Sequence, residues 1–230
     1  MTDEKKEYPR PSLTADVVVM ALGETRGLRA LFVRRARDPF QGMWALPGGF
    51  VEPTETVAEA AVRELREETS LDGVRVEEIG CFSRPGRDPR GWVVTIAHLA
   101  LVPADRVRDV KAGDDAAAAE WLDLSVQGKS GAFTLSRQGE PLPLASALAF
   151  DHAEILAAAV KRLFLDATEH ALCLLPATFT LAELRVVGDA IGGNPSSVQE
   201  RLPELPIRET APGSRLYTRA GLPPKPRAEG

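Results

Sequence analysis

The segment 56–71 constrains this chain most, because its helical pattern puts carboxylates where a core face should be. Thr56 followed three residues later by Glu59 is a capping-box pattern that opens a helix. At about 100° per residue, Val57, Ala60 and Ala61 then share a face with Glu64, Glu67, Glu68 and Leu71. For one turn the apolar face becomes acidic. Carboxylates gathered out of water repel one another and lose hydration. They also stand in the last turns of the helix, where the dipole disfavours anions by roughly 0.3–1 kcal/mol each. A divalent cation removes both penalties. Oxygen-only donors predict a hard ion, Mg²⁺ with Mn²⁺ as the alternative, rather than zinc. The loop Pro47-Gly48-Gly49 before the helix lets bare backbone approach the same ion or a phosphate oxygen. Metal, phosphate and an activated water make a hydrolytic site. The competing reading is a solvated, glutamate-rich helix face.

Around that helix the pattern is one of strands. Runs 17–22 and 28–33 predict a hairpin turning over 23–27. Further strands are expected at 74–82 and 92–102, flanking an arginine-, proline- and glycine-containing loop, 83–91, and a short one at 118–122. Strands interrupted by a helix imply a mixed-sheet α/β domain. From 145 to 190 the spacing turns helical, with His152, Ile155, Leu156, Ala159, Val160 and Leu163 in phase. A helix at 180–190, a short helix at 195–202 stopped by Pro203, and a hairpin over 207–218 turning at Pro212-Gly213 together predict a winged-helix unit. The expected layout is a polar tail over 1–12, a first domain over 13–147, a linker helix and winged-helix-like domain over 148–222, and a loose tail over 223–230.

The spacing of the acidic segment resembles the Nudix box: Gly49, Glu55 after five residues, then Arg63-Glu64-Leu65-Arg66-Glu67-Glu68 after seven, and Leu71. With ordinary residue frequencies such a match arises by chance on the order of 10⁻⁵ per chain. The runs 44–52 (WALPGGFVE) and 87–91 (RDPRG) are similar to the ADP-ribose-cleaving branch. The resemblance implies an α/β/α sandwich that hydrolyses a nucleoside diphosphate-linked substrate, ADP-ribose foremost, to AMP and ribose 5-phosphate with Mg²⁺. It also implies Glu64 and Glu68 as metal ligands, Glu67 as a bridging ligand or base, and the Gly48 carbonyl as the remaining protein donor. Arg63 would orient the glutamates from one turn away, near Glu67 and Glu59, and Glu55 would hold the loop to the helix. Arg84, Arg87 and Arg90 share one loop and are expected to clamp phosphate, against the alternative of a solvated basic loop. Arg35 and Trp44 are further substrate contacts, with Trp44 equally suited to the core. Glu120 stands where some family members keep a base. His98 reads as structural, and His152 as a cap or packing residue. Where the family has glycine this chain has Ser70, at a left-handed turn that costs serine on the order of 1 kcal/mol.

The two-part layout is also similar to Nudix-related transcriptional regulators of NAD metabolism, through the runs 181–184 (LAEL) and 215–217 (RLY). That gives the alternative function, an ADP-ribose sensor that binds DNA through a winged helix. The charge argues for the hydrolase. The net charge is −5, and the region 176–222 holds Arg185, Arg201, Arg208, Arg215 and Arg219 against Glu183, Asp189, Glu200, Glu204 and Glu209, which leaves little counterion-release drive. Cys81 and Cys173 have no metal-ligand spacing and read as ordinary buried thiols in a reducing cytoplasm. No apolar run is long enough to span a bilayer. The family's habit implies a homodimer.

Overall fold

Strand β1 (Ser12–Leu22) organises the fold, because from Ala15 to Leu22 almost nothing of it reaches water. Alternation sends Ala15, Val17, Val19 and Ala21 into one apolar cluster and Val18, Met20 and Leu22 into another. A strand buried on both sides must be central. The computed structural model describes residues 8–23, 27–110, 116–127, 130, 132–165, 167–191, 205, 207–211 and 215–219. Within them β1 pairs antiparallel with β2 (Leu28–Arg35) and in parallel with β6 (Val93–Val102). The remaining strands of this sheet are β3 (Trp44–Ala45), β4 (Gly48–Phe50), β5 (Val76–Phe82), β7 (Ala116–Gln127), β8 (Ala132–Arg137) and β9 (Glu140–Pro141). The order is β5-β6-β1-β2-β7-β8-β9, with β3 added to β2 and β4 to β1. The sheet is mixed, as expected.

Helix α1 (Val57–Thr69) covers one face through Ala60, Ala61 and Leu65. After the short α2 (Leu144–Ala147), α3 (His152–Leu165) and α4 (Ala167–Leu174) cover the other. The in-phase residues of α3, from His152 through Leu163, are all buried. An α/β/α sandwich follows directly from β1's two apolar faces. Beyond it, β10 (Thr178–Thr180), β11 (Ile207–Glu209) and β12 (Leu216–Arg219) form a second sheet in the order β10-β12-β11, beside α5 (Leu181–Ala190). Phe179, Leu184, Val187 and Leu205 belong to the same apolar cluster as α3 and α4. The hairpin of the expected winged helix is thus present as β11–β12. Its expected short helix at 195–202 and the turn at Pro212-Gly213 lie outside the described residues.

Some expectations need correction. The late strand is longer than 118–122: β7 runs to Gln127 and pairs with β8. The stretch read as continuously helical contains β10, whose Thr180 then caps α5 through a capping box with Glu183. Cys81 is exposed and Cys173 half-buried, so neither is a core thiol. Cys81 stands on β5, an edge strand with solvent on one side. Among the described residues no helix is long and apolar enough to cross a membrane.

Candidate functional site

Two glycines let the acidic side of α1 lie against the sheet. Gly48 stands opposite Asp16 in the β4–β1 ladder with φ 153°. A side-chain carbon there would come within 2.3 Å of the Ala15 carbonyl oxygen and 2.8 Å of Asp16 Cα. At Gly49 it would lie 2.2 Å from Glu64 Oε1. Bare backbone is therefore required at Gly48, where the obstacle is main chain, whereas at Gly49 the obstacle is the movable end of the Glu64 side chain. The Gly48 N–H donates to Glu68 Oε2 at 3.0 Å.

Arg63 ties the rest together. Its Nη2 and Nε donate to the two oxygens of Glu55 (2.7 and 3.0 Å), and Nη1 reaches Glu64 Oε1 (2.8 Å) and Glu67 Oε2 (3.2 Å). Nη2 also donates to the Phe50 carbonyl at 3.0 Å, while Glu55 accepts the Glu52 N–H at 2.9 Å. The Arg63 hydrogen bonds pull the Glu55 carboxyl down to about 2. Glu68 goes the other way. Burial pushes it up to about 8, with the Glu64 and Asp16 charges adding to the effect against the Gly48 N–H and Arg35. Burial also raises Glu64, opposed by Arg63.

Beside Glu68 a cavity of about 460 Å³ opens, lined also by Asp16, Arg35, Phe50, Arg87, Asp88, Arg90, Phe150 and His152. Arg87 is buried and donates twice to Asp151 (2.8 and 2.7 Å), with Asp16 Oδ2 at 3.4 Å. Burial alone would lower its pKa, but the Asp151 hydrogen bonds and the Asp151, Asp16 and Asp88 charges leave it raised. Arg90 pairs side-on with Asp88 at 3.0 and 2.6 Å. Arg35 donates through Nε to the Pro39 carbonyl at 2.6 Å, and burial followed by the Arg90 charge lowers its pKa. His152 opens α3, as expected of a cap or packing residue, and its Nδ1 accepts the Leu46 N–H at 2.8 Å. A neutral ring must then carry its proton on Nε2, which faces Asp16 Oδ1 at 3.8 Å. Burial lowers the His152 pKa and favours that neutral form.

Residues 12–131 match the NUDIX domain family. An ADP-ribose pyrophosphatase of Methanocaldococcus jannaschii is 38% identical over 149 residues, covering 65% of this chain and 73% of that protein. The chain belongs to the NUDIX family. The ADPR responsive transcriptional repressor NtrR of Acinetobacter baylyi is 31% identical over 195 residues, 83% of this chain and 70% of the repressor. Among solved structures, a MutT/nudix family protein of Enterococcus faecalis is similar with a TM-score of 0.80 and 33% identity, over 94% of this chain and 89% of its own. Shewanella oneidensis NrtR follows at 0.67 and 27%, over 90% of this chain and 93% of its own.

NUDIX hydrolases work with a divalent metal ion, and this chain's residues fit one. Glu64, Glu68 and Asp16 gather at the glycine loop, where burial and then the neighbouring carboxylates raise the Glu68 pKa, a cost that a cation would relieve, and their donor atoms are all oxygen. The three box glutamates do not converge equally, however. Among the described residues no three His, Cys, Asp or Glu side chains form a ready-made metal cluster. Glu64 is 16% exposed, whereas Glu67 is 52% exposed and turned to Arg63. On the wheel Glu68 falls near the middle of the arc set by Ala60, Ala61, Leu65 and Thr69, and Glu67 lies more than about a quarter turn away. Mg²⁺ commonly takes only one or two carboxylates, leaving positions for water and phosphate.

Other expected contacts separate. Trp44 is a core residue, 7% exposed in β3 and absent from the cavity wall, because both faces of its strand are covered. Arg84 leaves the site to pair with Glu154 on the surface at 2.9 Å. Glu120 is held by Arg137 at 2.8 and 3.0 Å, away from the cavity. Glu59, expected near Arg63, serves the helix cap through Thr56. His98 is buried on β6 as a structural residue would be, though its Nδ1 has no hydrogen-bond partner among the described residues. The residues missed are Asp16, Asp88, Asp151, Phe50 and Phe150. Asp16 did carry a signal: it is the lone charge inside the apolar run 15–22.

Proposed function

We propose that this NUDIX chain hydrolyses the diphosphate bond of a nucleoside diphosphate-linked sugar, ADP-ribose foremost, giving AMP and ribose 5-phosphate. The observation that carries this reading is the opening of Glu68 and the Gly48–Gly49 loop onto a cavity of about 460 Å³ flanked by Arg35 and Arg90. That volume suits a small nucleotide ligand. Acid on one wall and guanidinium groups on another suit a metal-bridged diphosphate. Glu64, Glu68 and the Gly48 carbonyl would hold Mg²⁺, or Mn²⁺, with Glu67 at the outer rim. The ion would supply charge neutralisation on the phosphates and a more acidic water. Arg63 and Glu55 position the glutamates, and Arg35 and Arg90 orient the diphosphate. Water adds to one phosphorus, and the bridging oxygen leaves with the other. Arg87 acts through Asp16 and Asp151 as a positioning residue.

The family and the M. jannaschii relative support this reading. The test is a hydrolysis screen over ADP-ribose, dinucleotides and nucleoside triphosphates with Mg²⁺, Mn²⁺ or chelator, and chromatography of the products. Divalent-dependent AMP from ADP-ribose is expected. Its absence across the panel would overturn the assignment.

A second reading, an ADP-ribose-responsive DNA-binding regulator, draws on the β10-β12-β11 sheet with α5 and on the likeness to NrtR over most of both chains. Under either reading we take 13–147 as the NUDIX domain, 148–222 as the linker and winged unit, a homodimer as the assembly and the cytoplasm as the compartment. The balanced charge of 176–222 predicts weak, salt-sensitive DNA binding. Tight binding to a defined operator in a mobility-shift assay would put the regulator first.

A further inference from the structure

Four side chains at the cavity form a ladder for which neither the box chemistry nor the ion pairs account. Phe50, one residue past the glycine loop, is 45% exposed and is the large hydrophobic side chain left open on the cavity wall. The Arg90 guanidinium lies 5.0 Å from the Phe50 ring centre and 5.3 Å from that of Phe150. Arg35 lies 4.8 Å from the Phe150 ring. Cation and ring thus alternate as Phe50, Arg90, Phe150, Arg35. Asp88, whose side chain is 2% exposed, fixes the Arg90 plane with three side-chain hydrogen bonds. Phe40 packs edge-on against Phe150, ring centres 4.8 Å apart. Both of these phenylalanines hold left-handed backbone, φ 63° and 54°, which a bulky residue avoids without compensation. Such strain is commonly kept where ring placement serves a ligand.

We propose that the exposed face of Phe50, braced by the Arg90 guanidinium that Phe150 backs in turn, is the stacking platform for the planar base of the nucleotide substrate. The proposal rests on the hydrolase reading and adds the base subsite to it. A phenyl ring with one face supported and one open presents a flat, sequence-tolerant surface to any π system. Its place beside Gly49 puts a stacked base next to the loop that meets Glu64, so one ligand spans both. Guanidinium support also orders the ring before binding, which removes part of the ordering cost. The platform favours larger bases, so purine nucleotides should outcompete pyrimidine ones.

The test compares wild type with Phe50→Ala, Phe50→Leu and Phe50→Trp on ADP-ribose and on 5-phosphoribosyl 1-diphosphate, which has a diphosphate but no base. Phe50→Ala should raise KM for ADP-ribose by about tenfold, in line with stacking on one ring, with little change in kcat. Phe50→Leu should resemble Phe50→Ala, and Phe50→Trp should rescue. The base-free substrate should lose much less in kcat/KM. Equal losses on both substrates would overturn the platform, because Phe50 would then act through Arg90 on the phosphates. Equilibrium binding of etheno-ADP-ribose in chelator, read by quenching of the base fluorescence, separates this from the hydrolase reading. Quenching that vanishes in Phe50→Ala upholds the platform even if no turnover is found. Quenching unchanged in Phe50→Ala removes it even if turnover is robust.

Discussion

Arg87 and Asp151 lie 64 residues apart in the chain and share two hydrogen bonds, 2.8 and 2.7 Å, with side chains only 3% and 2% exposed. The pair pins the loop between β5 and β6 to the residue just before α3. Asp16 on β1 completes the contact from below, and His152 lies next to it. The loop arginine expected to meet substrate is thereby consumed by structure.

Removing Arg87 should therefore damage stability before affinity. Arg87→Ala leaves Asp151 and Asp16 buried without a cation, and such breaks cost about 3–5 kcal/mol. Arg84→Ala, which breaks an exposed pair with both side chains 60% exposed, should cost under about 1 kcal/mol. Urea unfolding measures both. An Arg87→Ala protein that unfolds like wild type and differs only in KM would return this residue to the substrate.

Glu68→Gln should separate chemistry from fold. The amide matches the protonated carboxyl that burial already favours, and its oxygen still accepts the Gly48 N–H. Melting should stay near wild type in chelator, while turnover falls by about two to three orders of magnitude for loss of a metal-ligating charge. Retained turnover would remove Glu68 from the metal site.

Acid sensitivity should track Glu55. Its carboxyl is held at about 2 against an ordinary 4.5, so its stabilisation is fully present above about pH 4.5 and fades as pH falls through about 2. Wild type should exceed Glu55→Gln in thermal stability at pH 6, and the gap should narrow steadily from pH 4.5 downwards. A gap independent of pH would show that the Arg63 contact contributes no linkage.

Ser70 ends α1 in left-handed backbone, φ 62° and ψ 8°, with its N–H on the Arg66 carbonyl at 2.9 Å. Ser70→Gly removes the strain but adds freedom to the unfolded chain, so a net gain of about 1 kcal/mol or less is expected. A lower urea midpoint would mean that the serine side chain has a stabilising partner.

Much of this was readable along the chain because it is local. The capping box, the acidic turn of α1, the glycine loop before it and the left-handed Ser70 all follow from spacings within one element and its caps. Their periodicity survives folding, so motif and mixed sheet were both visible. Glu67 lies at the edge of the buried arc rather than within it, because Leu65 and Thr69 shift that arc towards Glu68.

Partner choice is a different matter. Nothing near Arg87 in the chain announces Asp151, and nothing near Arg90 announces Phe150, since each pair meets only once the chain has folded. By itself the sequence determined which residues are chemically able to hold a divalent ion and where the helix carrying them starts and stops. Only the tertiary structure decided which arginines are spent on buried carboxylates and which remain for a ligand. Long-range ion pairs depend on burial and separation in space, and neither leaves a periodic trace in the chain.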